Sequence, residues 1–153
     1  MDVSAGMLTE FISAYKAAGV KDDDVTALNR DLLVDGAGEH EGVYDVVICS
    51  MALHHFADPK EALKQLTKCV KVGGVVVIID WGAGEKDEEG VVDKELKRAG
   101  DLVVDEMFFG KEKLVGLFGD AGCGEVEVLL NEAESEVPGN KGMRLTFAKG
   151  VRA

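Results

Sequence analysis

Little in this sequence points toward nucleic acid, lipid or the cell exterior. Lys and Arg number 17 against 29 Asp and Glu, a formal charge of −12, and no basic cluster offsets that balance. A surface of this sign repels nucleic-acid phosphates and anionic headgroups, so neither nucleic acid nor membrane is expected as a partner. No apolar run approaches the ~20 residues that a membrane-spanning helix needs. The first residues read as a polar turn into an amphipathic helix, so no secretory leader is expected. Cys49, Cys69 and Cys123 are odd in number and stand inside strand and helix patterns. That suits reduced thiols in a cytoplasmic protein better than a disulfide framework. Prolines are only two, against 19 glycines, which implies many tight turns. No repeat, linker or low-complexity segment interrupts the 153 residues. A single domain over 1–153 is expected, large enough to bury roughly two-thirds of its unfolded surface.

What is present is organised around residues 44–81, YDVVICSMALHHFADPKEALKQLTKCVKVGGVVVIIDW. Residues 44–50 form a short apolar run rich in β-branched side chains. Residues 75–79 (VVVII) are β-branched without a break, as in a strand buried on both faces of a parallel sheet. Between them Asp58 can cap a helix whose first turn takes Pro59, where the missing N–H costs nothing. Ala62, Leu63, Leu66 and Val70 recur at helical spacing, and Gly73-Gly74 marks the expected helix stop. Two parallel strands joined by one crossover helix make a right-handed βαβ unit, so the expected fold class is α/β.

Upstream, Met7, Leu8, Phe11, Ile12 and Tyr15 share one face of a helix, with Ser4 as N-cap and Gly19 as stop. Asp22-Asp23-Asp24 reads as a solvated turn, because it lacks the spaced ligands of a calcium loop, and no metal site is expected. Residues 25–29 are predicted as a short strand. Gly36-Ala37-Gly38 lies before a strand instead of between a strand and a helix, so residues 34–42 read as a plain loop. Downstream of an acidic loop over 82–90, a long helix is expected over 91–107. Phe108-Phe109-Gly110 breaks it, and a second helix follows over 111–121. Residues 125–130 alternate acidic and apolar side chains like a half-exposed strand, and 143–148 form a last strand, expected to be antiparallel.

In open parallel sheets, ligands bind beyond the carboxyl ends of the strands. That rule selects Asp31-Leu32, Ser50-Met51, His54-His55 and Asp80-Trp81. Each has a plainer reading: Asp31 as a turn cap, Asp80 as a strand end, one His as a hydrogen-bonded core residue, Trp81 as core. Either His54 or His55 is chemically able to act as a general base near neutral pH.

The run from Tyr44 to Asp80 closely resembles the second half of a class I S-adenosylmethionine-dependent methyltransferase of the small-molecule type (type 11/12). The wording SMALHHFADP is similar to methyltransferases of fungal genomes. DVSAGMLTEF resembles the family's D-x-S-x-x-M segment, VTALNRDLL its third strand, and EVEVLL with MRLTFA its closing hairpin. The resemblance implies a Rossmann-like, doubly wound, mostly parallel sheet ending in an antiparallel hairpin. It implies S-adenosylmethionine as cofactor and a small molecule as methyl acceptor. Asp2 would bond the ribose hydroxyls and Val3 pack on the adenine. Asp31 would accept from the adenine amino group, with the Leu32 N–H reaching a ring nitrogen. Ser50 and Met51 would contact the methionine part, while His54, His55 and Trp81 would border the acceptor pocket.

One departure is large. The family's first strand, its glycine-rich turn and most of its second strand have no counterpart here, so the expectation is an amino-terminally truncated domain. Met1 stands where the second strand would run, which would leave Asp2 without a scaffold. The strand over 44–50 would then be an edge, liable to be covered or to pair with another chain. Two outcomes follow: a homodimer through residues 44–50, or one portion of a longer enzyme. The other reading is a non-catalytic remnant that serves as a binding or regulatory partner.

Overall fold

The computed structural model describes residues 1–82, 108–136 and 143–153. The chain divides into two compact units, Met1–Gly36 and Ala37–Ala153. The helix expected over 91–107 and nearly all of the acidic loop expected over 82–90 lie outside the described residues.

In the first unit, helix α1 spans Ala5–Ala17, with the Ser4 side chain accepting from the Met7 N–H at its start. Beyond the end of α1, Gly19 takes the left-handed conformation (φ 78°) that a glycine adopts without a Cβ penalty. The predicted apolar face is present at the right spacing, yet Met7, Phe11 and Ile12 are exposed. A short helix α2 follows at Leu32–Asp35, capped by the Asp31 carboxylate.

Residues 25–29 do not form the predicted strand. The only pairing described there is one parallel bridge between Asp2 and Asn29. That bridge also corrects the expectation that Asp2 lacks a scaffold. The Asp2 N–H donates to the Leu28 carbonyl (3.0 Å) and its own carbonyl accepts from Arg30 (3.2 Å). The Asn29 side-chain amide donates to the Asp2 and Val3 carbonyls at 3.1 and 2.9 Å. Four hydrogen bonds thus hold the backbone of Asp2 and Val3 in place.

The second unit carries the sheet. Strand β1 is Tyr44–Ser50, helix α3 Pro59–Cys69, strand β2 Val70–Gly82, helix α4 Lys111–Asp120, strand β3 Cys123–Glu134 and strand β4 Arg144–Arg152. The spatial order is β1-β2-β4-β3. Strands β1 and β2 are parallel, as the βαβ reading required, and β4 is antiparallel to both neighbours. The result is a mixed α/β sheet closed by an antiparallel hairpin, with β1 at one edge.

Helix α3 starts where expected: Asp58 accepts from the Glu61 N–H at 2.9 Å and Pro59 takes the first position. It stops earlier than expected. Gly73 and Gly74 lie inside β2, and the helix ends at Cys69. Its last carbonyls are satisfied from elsewhere in the chain. Gly42 N–H reaches Lys68 O (2.8 Å), Val43 N–H reaches Cys69 O (3.0 Å), and the Arg152 guanidinium donates to Lys68 O at 2.8 Å. Those donors make a glycine stop unnecessary.

Register places Cys49, Ile78 and Ala148 side by side on one face of the sheet. That face is buried, and Leu63, Leu66, Leu114 and Phe118 from α3 and α4 complete the core. The opposite face carries Val46, Ile48, Leu129 and Phe147, all exposed. All three cysteines are buried, and none of them is joined in a disulfide.

Candidate functional site

Strands β1 and β2 end side by side, and their exits build the chemically richest part of the second unit. The chain leaves β1 at Ser50 and turns at Met51, whose φ of 51° is unusual for a non-glycine residue. The Met51 N–H is tied to the Ile79 carbonyl at 2.8 Å, which holds this strained turn against β2. One turn of 3₁₀ helix, Leu53–His55, follows. Leu53 is fully buried and anchors it.

Asp80 is the hub. It is fully buried, on the core side of β2. One carboxylate oxygen lies 2.6 Å from His54 Nδ1 and accepts from the Trp81 N–H at 2.8 Å. The other accepts from the His54 N–H at 3.2 Å. A buried carboxylate is tolerable only when its oxygens are satisfied this way. His54 is itself buried, while His55 is exposed with its ring 3.9 Å from that of His54. Partial burial, then the neighbouring His54, hold the His55 imidazole below its usual range. Cys49, also near Asp80, is pushed up to about 12, mainly by burial and then by that carboxylate.

Trp81 is buried too, and its carbonyl accepts from the Phe109 N–H at 2.9 Å. A parallel bridge between Gly82 and Phe109 extends this tie. Of the residues predicted from sequence, Ser50, Met51, His54, His55 and Trp81 therefore gather at one end of β1 and β2. Asp80, left in the sequence between strand end and site residue, is what binds them. The signal was present, since both Asp80 and His54 follow apolar strands, but the pairing itself crosses 26 positions.

Asp2, Val3, Asp31 and Leu32 gather in the first unit. The two carboxylates share a local design. Asp2 Oδ1 accepts from the Ser4 N–H at 2.7 Å, and Asp31 Oδ1 accepts from the Leu33 N–H at 2.9 Å. In each case a backbone amide two residues on fixes the carboxylate. The Asp2–Asn29 bridge brings their backbones to neighbouring exits. Carboxylates are acceptor-only groups when ionised, so this pair suits a ligand that presents hydroxyl and amino donors. Asp31 thus does cap a turn, the plainer of its two readings. One bond does not exhaust a carboxylate's acceptor sites.

Comparison with known proteins bears on the family and the fold. The profile of a methyltransferase domain family matches residues 10–128. An uncharacterized methyltransferase of Schizosaccharomyces pombe is 28% identical over 134 residues, covering 84% of this chain and 46% of that protein. The chain therefore spans about half the length of this relative. Among solved structures, an S-adenosylmethionine-dependent methyltransferase of Methanosarcina mazei superposes with a TM-score of 0.67 at 14% identity, over 99% of this chain and 80% of that one. A Haemonchus contortus phosphoethanolamine N-methyltransferase, solved with S-adenosylhomocysteine, gives 0.56 at 13% identity, over 74% of this chain and 34% of that one. At such identities the superpositions speak to the fold alone.

Proposed function

Since the chain belongs to the class I S-adenosylmethionine-dependent methyltransferase family, we propose that it takes part in methyl transfer to a small-molecule acceptor. The observation that carries this reading is the braced rim at the exits of β1 and β2, where Asp80 fixes His54 beside His55, Met51 and Trp81. Bound S-adenosylmethionine supplies an electrophilic methyl group on a sulfonium sulfur. In this reading Asp2 accepts from the ribose hydroxyls, beside Val3 against the adenine. Asp31 and the Leu32 N–H receive the adenine edge, and Ser50 and Met51 the methionine end. The two locally fixed carboxylates fit that donor-rich ligand.

His54, His55 and Trp81 border the acceptor. Alignment and exclusion of water come first in such a transfer, and a base is needed only where the acceptor must lose a proton. Among the described residues no helix is long and apolar enough to cross a membrane. With all three thiols buried, a cytoplasmic setting fits best.

A second reading, a non-catalytic binding partner of a complete methyltransferase, is favoured by one feature. On the edge strand β1, Val46 and Ile48 are 51% and 61% exposed. Calorimetry with S-adenosylhomocysteine, on this chain and on one extended upstream, separates the two. Cofactor binding supports the enzymatic reading. Absence of heat in both, with stable association to a full-length methyltransferase, supports the other.

A further inference from the structure

We propose that Asn29 is a positioning residue of the first unit: its side-chain amide ties down Asp2 and Val3, so that the Asp2 and Asp31 carboxylates are set in register for one nucleoside. This rests on the methyltransferase reading above, in which Asp2 meets the ribose hydroxyls and Asp31 the adenine amino group. Asn29 itself touches no ligand atom and acts through Asp2.

Asn29 stands opposite Asp2 in one parallel bridge. The backbone supplies two bonds there, from the Asp2 N–H to Leu28 O at 3.0 Å and from the Arg30 N–H to Asp2 O at 3.2 Å. The Asn29 side-chain amide carries two hydrogens, and donates to Asp2 O at 3.1 Å and to Val3 O at 2.9 Å. The second of these reaches one residue past the bridge, where the chain turns away toward α1. Val3 O and the Ser4 N–H belong to the same rigid peptide plane. Holding its carbonyl side therefore aims its amide side, and that amide donates to Asp2 Oδ1 at 2.7 Å, leaving Oδ2 for a ligand. On the facing chain, Asp31 lies two residues beyond Asn29. Its carboxylate accepts from the Leu33 N–H at 2.9 Å, and its own N–H donates to Asp35 Oδ2 at 3.0 Å. Paired strands lie about 4.8 Å apart and rise about 3.3 Å per residue, so this register sets the Asp2 and Asp31 Cα atoms roughly 8 Å apart. A slip of one residue would change that spacing and turn the Asp2 side chain to the other side.

Support of the fold is not what these bonds supply. Asn29 and Val3 are both exposed, so truncating Asn29 opens no core cavity. The carbonyls it serves would find water instead, at little cost to the folded state. What would be lost is the fixed peptide between Val3 and Ser4, and with it the aim of the Asp2 carboxylate. The damage should then be local, and specific to the part of the ligand that Asp2 meets. That difference is measurable.

The test pairs amide hydrogen exchange, resolved by NMR, with calorimetry in the full chain and in Asn29→Ala. Exchange is expected to accelerate about tenfold or more at the Asp2, Ser4 and Arg30 amides, and to stay within about twofold inside α1. Affinity for S-adenosylhomocysteine, on this chain and on the upstream-extended form, should fall about 3–10-fold, the worth of a modest hydrogen bond. Affinity for its analogue lacking both ribose hydroxyls should stay within about twofold, because that ligand offers Asp2 no donor. Equal losses for the two ligands overturn the inference, since they mark general damage. Exchange that is unchanged, or that rises uniformly through the first unit, also overturns it. Failure of wild type to bind S-adenosylhomocysteine in either form counts instead against the methyltransferase reading, while the exchange pattern still decides for or against the clamp, so the two failures are distinct.

Discussion

Asp80 and His54 lie 26 positions apart in sequence, yet their side chains meet at 2.6 Å with neither more than 6% exposed. This pair joins the exits of two parallel strands. Removing its carboxylate would orphan three donors in the core: His54 Nδ1–H, His54 N–H and Trp81 N–H. Asp80→Ala should therefore destabilise the second unit by about 3–5 kcal/mol, the range for breaking a buried pair from one side. Denaturant unfolding followed by Trp81 fluorescence measures this. A loss below about 1 kcal/mol, the worth of an exposed pair, would contradict the assignment.

The Cys49 thiol, raised to about 12 by burial and by Asp80, is almost entirely protonated at neutral pH. At pH 8 its thiolate fraction is roughly 10⁻⁴. Alkylation by iodoacetamide, read peptide by peptide in a mass spectrometer, should leave Cys49 unmodified in the native protein and label it fully in denaturant. Rapid native labelling would mean that the face shared by Cys49, Ile78 and Ala148 is open.

His55 takes up its proton at lower pH in the folded chain than in the unfolded one, where the ordinary value is 6.5. Just below that value the unfolded state binds more protons, so folding loses stability as pH falls through the window between the two values. Above 6.5 the contribution of His55 is flat. Melting temperatures across about pH 7.5 to 5 should fall for wild type, and His55→Gln should shallow that slope. An identical slope in the variant would show that His55 is not a source of it.

The edge strand gives a prediction of another kind. Ile48 and Val46 project from β1 with no neighbouring strand beyond them among the described residues, and both are exposed. Such edges pair with other chains unless charge interrupts them. Sedimentation of the chain should reveal concentration-dependent association, and Ile48→Lys should abolish it without shifting the melting temperature by more than a few degrees. A wild-type chain that stays monomeric at high concentration would remove any role for this edge in self-association.

Much of the second unit was legible in sequence because its signals are local. The β-branched runs of β1 and β2, the Asp58-Pro59 start of α3 and the alternation in β3 each declare themselves within a few residues. What was not legible depends on distant partners. Gly73-Gly74 looks like a helix stop, yet Arg152, 84 positions from Lys68, and the backbone of Gly42 and Val43 end α3 at Cys69. Residues 25–29 have the composition of a strand, but composition cannot supply a partner, and one bridge to Asp2 is all they make. The candidate site behaved likewise. Strand exits named His54, His55, Met51 and Trp81 correctly as neighbours, while the hydrogen bonds that make Asp80 their common support appear only in three dimensions.

The most direct test of the account is isothermal calorimetry with S-adenosylhomocysteine on this chain and on an upstream-extended form, each alongside Asp2→Asn and Asp31→Asn. The account predicts saturable binding to the extended form, weakened roughly tenfold or more by either substitution, as loss of a charge-assisted hydrogen bond would do. Absence of binding in both forms, or binding indifferent to both carboxylates, would contradict it.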